Sequence, residues 1–225
     1  MANRNFTTQF YSSLERQPIH LMGSFTQTSL GGRASLTTGS ITMTAVAWGP
    51  SGNSITLRLV NPGSDGALSI LVTGTAIVVT LAYALGAITT TYTALRTALQ
   101  ADPTVTALAT TTGTSGSLVT AIAATPLAGG ADSVFSSVMA PHTMTLAQTD
   151  TGLYTLTLAD TYSALLSTSI MLQSASAVDL SAQLISANPL TTKIIAFRMI
   201  AGATPTSMVN GNTIYIDFCL RNSSN

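Results

Sequence analysis

The chain has 225 residues, only 7% of them charged, and its eight Lys+Arg cancel its eight Asp+Glu. Globular chains carry about 25% charged residues, so this surface is made largely of Thr, Ser, Ala and Gly and has few charges with which to repel other copies of itself. Disorder needs low hydrophobicity with high net charge, which 46% hydrophobic residues and a mean hydropathy of +0.43 exclude.

Asn5 to Phe25 differs in composition from the rest of the chain. It holds the only glutamate, Glu15, the aromatics Phe6, Phe10 and Tyr11, and Pro18 before the apolar run Ile19-His20-Leu21-Met22. It reads as an arm leading into a first strand, of the kind that is ordered by what it docks on. No apolar core follows a basic start, so a signal peptide is not expected. The lone cysteine, Cys219, excludes an intramolecular disulfide. Synthesis in the cytosol without export is the expectation.

Strand patterns then recur between turn residues: Ser40 to Trp48, Ser54 to Val60, Ala67 to Val72 and Ala76 to Ala82, broken at Gly49–Asn53, Asn61–Gly66 and Thr73–Thr75. The 22 uncharged residues Ala67 to Ile88 have the length of a membrane span. Gly74 and the β-branched run Ile77-Val78-Val79-Thr80 favour two strands and a tight turn instead. A helix is predicted over Thr90 to Ala101, where Tyr92, Leu95 and Leu99 share a face, and Asp102-Pro103 ends it. A second short helix over Thr104 to Thr110 and a strand over Leu118 to Ala124 complete this block.

Beyond Asp132 the pattern returns to β: His142 to Ala147, Gly152 to Ala159, Leu165 to Leu172, Ala182 to Ser186, Lys193 to Ile200 and Thr213 to Arg221. Tyr154, Leu156 and Leu158 alternate with Leu153, Thr155 and Thr157. The last strand sets Ile214, Ile216, Phe218 and Leu220 against Tyr215, Asp217, Cys219 and Arg221, which gives one face to a core. The expected fold class is mainly β: a jelly-roll or β-sandwich-like domain with an inserted α+β lobe carrying one or two short helices. Gly31-Gly32 and Gly129-Gly130 read as hinges bracketing the insertion. Residues 1–32 with 133–225 would form the β-sandwich or jelly-roll domain, and 33–132 the lobe.

Catalysis needs reactive groups that converge, and the sequence offers none in a recognisable pattern. His20 and His142 lie in apolar strand contexts without a second ligand at metal spacing. Cys219 reads as a small half-buried thiol. The acids are isolated in sequence, and most fall in turns. The glycine pairs lack the spacing of a phosphate-binding loop. No catalytic, cofactor-binding or metal-binding residue is assigned, and the chain is not expected to be an enzyme. The eight cations, scattered from Arg4 to Arg221, form no patch for phosphates, so neither nucleic acid nor membrane is an expected partner. Trp48, beside Gly49-Pro50, could serve as a stacking platform for a sugar or as a hydrophobic lid, with the lid favoured.

The two ends of the chain resemble the cement, or capsid decoration, proteins of tailed phages. The resembling residues are Met1–Phe6, Leu14–Gly23, Asp150–Tyr162 and Ile214–Ser224, roughly half the chain with the segments between them. The middle departs from that pattern and looks like a module of phage structural proteins, on Gly52–Thr56, Asn61–Gly63, Asp102-Pro103 and Pro126–Gly130. The resemblance implies a virion structural protein on the capsid exterior, bound to the major capsid protein and stabilising the shell against internal DNA pressure. It also implies a homo-oligomer, dimer or trimer, without cofactor. Arg4, Phe6, Phe10, Tyr11 and Arg16 of the arm are candidate contact residues, since aromatics and Arg dominate interface energetics; packing on the chain's own core is the competing role. A head fibre, a tail tube or baseplate subunit, and a carbohydrate-binding adhesion module are the alternatives.

Overall fold

A computed structural model describes residues 18–137, 144–174 and 179–222. The chain divides into two compact units, one of residues up to Leu30 together with those from Ser133 onward, the other Gly31–Asp132. In chain order, β1 (Pro18–Ser29) belongs to the first unit. The second unit holds β2 (Arg33–Thr38), β3 (Ile41–Trp48), a 3-10 turn (Pro50–Ser54), β4 (Thr56–Val60), β5 (Ser69–Thr73), β6 (Ala76–Thr80), the short pair β7 (Tyr83–Ala84) and β8 (Ala87–Ile88), helices α1 (Tyr92–Ala101) and α2 (Pro103–Leu108), β9 (Ala109–Thr112) and β10 (Ile122–Pro126). The first unit resumes with β11 (Val134–Ser137), β12 (Met144–Asp150), β13 (Leu153–Leu158), β14 (Tyr162–Gln173), β15 (Ser181–Asn188), β16 (Ile194–Ala201), β17 (Thr204–Pro205) and β18 (Thr213–Asn222).

The first unit is a β-sandwich. One sheet runs β11-β1-β18-β14, the other β12-β13-β16-β15 with β17 on β16, and all its pairings are antiparallel. Period-two alternation decides which face is inside. On β18, Ile214, Ile216, Phe218 and Leu220 are buried while Tyr215, Asp217, Cys219 and Arg221 face outward; on β13, Tyr154, Leu156 and Leu158 are buried. These residues meet Leu21 and Phe25 of β1 and Ile195, Phe197 and Met199 of β16 in one core. Each such side chain contributes about 1.5–3 kcal/mol on full burial. At the sides of the sandwich β11 lies beside β12 and β14 beside β15.

The second unit has its own core, from Ala34 to Leu127 in sequence. A mixed sheet, β10-β4-β6-β5, has β4 and β6 parallel, and an antiparallel sheet, β2-β3-β9, stands with it. Helix α1 turns Tyr92, Leu95 and Leu99 inward, as their spacing predicts. The Thr91 hydroxyl caps its start, accepting from Ala94 N–H at 3.2 Å. Asp102 ends α1 and begins α2: its carboxylate accepts from the N–H groups of Thr104 (2.8 Å) and Val105 (3.3 Å), with Pro103 in the first turn.

The segment Ala67 to Ile88 contains four strands, and no described helix is long and apolar enough to cross a membrane. Gly74, at φ 59°, takes the first position of the two-residue β5–β6 turn, where a side chain would be strained.

Two local expectations are corrected. Helix α2 stops at Leu108, because the β-branched run Thr110-Thr111-Thr112 joins β3 as strand β9. The strand predicted over Leu118 to Ala124 begins at Ile122; Leu118 makes only an isolated bridge to Thr91. Two of the glycines read as hinges are hydrogen-bonded within the second unit. Gly32 exchanges both backbone hydrogen bonds with Ala131 (2.8 and 3.2 Å), and the Asn53 side-chain amide holds the N–H and C=O of Gly130, each at 2.9 Å.

Candidate functional surface

The outward face of the β11-β1-β18-β14 sheet follows from the same alternation that fills the core. Each inward Ile or Phe leaves its neighbour outside, so β1 presents His20 and Met22, β18 presents Tyr215, Asp217 and Cys219, and β14 presents Ser167, Ser169 and Met171. Register aligns Met22, Asp217 and Ser169 in one row and Ser24, Tyr215 and Met171 in the next. Met22, Met171 and Tyr215 are 56%, 62% and 42% exposed, high values for side chains of their size. With Gly23, Ser169, Ile216 and Asp217 they line a shallow depression of about 280 Å³.

Polar groups stand within and around this depression. His20 Nδ1 lies 3.3 Å from Asp217 Oδ1, both half in water, and the Tyr215 hydroxyl donates to Gln173 Oε1 at 2.7 Å. Thr26 and Thr213 share a hydroxyl contact at 2.8 Å. The His20–Asp217 pair joins residues 197 apart in sequence; the outward parity of both positions is the signal that foreshadows it. Cys219 is half-buried, opposite His20 and Ser167. Exposed methionines adapt to the surface they meet, and Met22, Met171 and Tyr215 stand exposed together among the polar groups of this face.

A second depression, about 230 Å³, is lined by Asp179, Leu180, Ala201, Thr206, Ser207, Val209 and Asn212. Beneath it lies a buried polar cluster. Gln148 donates to Ser207 Oγ at 2.6 Å and to the Asp150 carbonyl at 3.0 Å, and Ser207 Oγ also accepts from Gly152 N–H at 3.0 Å. The Tyr154 hydroxyl accepts from Met208 N–H at 2.8 Å. Burial raises the Tyr154 pKa, and the donors from Met208 and Ser207 oppose that shift. The cluster's bonds tie β12, β13 and the 206–208 segment together, which suits a structural role.

Among the described residues no group of three or more His, Cys, Asp or Glu could hold a metal ion. Trp48 is half-buried, with its indole N–H enclosed and without a hydrogen-bond partner. The predicted contact residues Arg4, Phe6, Phe10, Tyr11 and Arg16 lie outside the described residues, as does His142. No protein-family model, curated protein or solved structure matches this chain.

Proposed function

We propose that this protein is a virion structural component, a cement protein that binds the outer surface of a tailed-phage shell and stabilises it. The observation that carries the reading is the outward face of the β11-β1-β18-β14 sheet, where Met22, Met171 and Tyr215 surround a shallow depression. Such a face binds by burying area, and a specific interface covers about 1,600 Å² in total. Many copies on one shell multiply a modest contact. The resemblance of the chain ends to cement proteins supports the same reading, with the major capsid protein as partner and the arm residues Arg4, Phe6, Phe10, Tyr11 and Arg16 as further contacts.

Co-sedimentation with shells assembled without this protein tests it. Wild type should bind, and Met171→Asp and Met22→Asp should bind at least tenfold more weakly, with unchanged unfolding curves because both side chains are exposed. Full occupancy by both variants removes this face from the interface. Deletion of residues 1–16 tests the arm in the same assay. Particles without the protein should release DNA at lower temperature; equal release would leave a display role instead.

A further inference from the structure

We infer that β5 is the seam through which two copies of this chain pair, antiparallel, about a two-fold axis passing beside Leu71. The pairing does not depend on the shell-binding reading.

Hydrogen-bond parity shows which backbone groups of β5 are free. In the parallel β4–β6 pair, Thr56 N–H donates to the Thr75 carbonyl at 3.0 Å and Leu81 N–H donates to the Val60 carbonyl at 2.9 Å. Backbone groups point to alternate sides along a strand, so Thr75, Ile77, Val79 and Leu81 serve β4, while Ala76, Val78 and Thr80 serve β5. The partners of these last three on β5 are Thr73, Leu71 and Ser69. Ile70 and Val72 therefore direct their N–H and C=O groups away from β6. No other described strand pairs with β5, and no other described element packs broadly against it.

That free edge is complementary to itself. Laid antiparallel against a second β5, Ile70 meets Val72 of the other copy at hydrogen-bonded positions, which makes four N–H···O=C bonds across the axis. Leu71 then faces Leu71 at the non-hydrogen-bonded position, where Cα atoms approach to about 4.5 Å and side chains are closest. Leu71 is 65% exposed, and this contact covers it. Ser69 stands opposite Thr73, a hydroxyl pair, and the half-buried Ile70 and Val72 border the second unit's core.

Protected edges carry charge, proline or a bulge. From Ala67 to Thr73 there is no charge and no proline, and the β5–β6 register is unbroken. The opposite edge of the same sheet, β10, has a register shift between Ile122 and Thr125 and ends at Pro126. Growth by strand addition is thus open at β5 and blocked at β10, so the assembly closes as a dimer.

Light scattering on the eluting full chain should give twice the 23.1 kDa chain mass. Leu71→Lys sets like charges opposite each other and should give the single-chain mass with the far-ultraviolet circular dichroism of wild type at 25 °C. Val72→Pro removes an outward N–H without touching the β6 ladder and should also give the single-chain mass, with some loss of stability because Val72 packs against the second unit's core. In a Cys219→Ser background, Leu71→Cys should form an interchain disulfide on oxidation, because its Cα spacing falls within the disulfide range. Thr73→Cys, whose counterpart is Ser69, should not. A wild-type monomer at every concentration, a dimer that survives both Leu71→Lys and Val72→Pro, or cross-linking by Thr73→Cys in place of Leu71→Cys would each overturn the pairing.

Discussion

Replacing Tyr154 by Phe removes one oxygen and leaves the ring where it is. The ring is 1% exposed, stacked on Phe197 at 5.5 Å and 15° and approached edge-on by Phe135 at 6.2 Å and 71°. These contacts survive the substitution. What is lost is the acceptor for Met208 N–H, at 2.8 Å in a buried position, and for the Ser207 hydroxyl. A buried donor left unpaired costs about 1–3 kcal/mol, so Tyr154→Phe should destabilise the sandwich unit by about that amount. Tyr154→Ala, which also opens a cavity, should cost about 3–5 kcal/mol. Urea unfolding followed by circular dichroism measures both, and amide exchange at Met208 gives a local readout that should rise in the Phe variant. A Phe variant within about 0.5 kcal/mol of wild type, with Met208 still protected, would refute the reasoning. The hydroxyl also predicts an alkaline limit. Burial raises its pKa above the ordinary value of 10.0, so the neutral phenol's contribution is complete below about pH 10 and is lost as pH rises through the folded-state pKa. Tyr154→Phe should flatten that part of the alkaline loss.

Gly130→Ala should destabilise the second unit by about 1–3 kcal/mol, because a Cβ there would lie 2.4 Å from the Gly49 carbonyl oxygen and 3.1 Å from Ala34 N. The emission of Trp48, the only tryptophan and a member of that unit, reports the shift. Hydrogen bonds from Thr104, hydroxyl first and then N–H, lower the Asp102 pKa below its ordinary 3.8. Its contribution is present above the unfolded pKa and fades as pH falls through the folded one, so an acid titration of helical circular dichroism should lose part of its slope in Asp102→Asn. Leu95→Ala, at 0% exposure on the inner face of α1, should cost about 2–5 kcal/mol in the same fluorescence assay.

Much of the fold was legible where one face of an element is buried and the other is wet. The alternation on β13 and β18 and the shared face of Tyr92, Leu95 and Leu99 on α1 grouped residues by side as the structure has them, because period alone decides which residues share a side, while burial shows which set of β13 is inward. The reading failed where tertiary pairing overrides local preference. β2, with its Arg33-Ala-Ser-Leu sequence, and β9 at the end of a helical run exist because β3 offers an edge to each side. The limits of α2 and β10 shifted for the same reason.

Scarce charge, the mainly β character and which residues of β13 and β18 share a face were determined by the sequence itself, since composition and periodicity are local properties. Only the tertiary structure decided which strands are neighbours. That neighbourhood brings Met22, Met171 and Tyr215 from three strands to one depression and sets His20 beside Asp217. It also leaves Ile70 and Val72 on an open edge. Hydrogen-bond pairing between distant segments carries no signature in either segment alone, so faces and edges of this kind become visible only when the sheet is assembled.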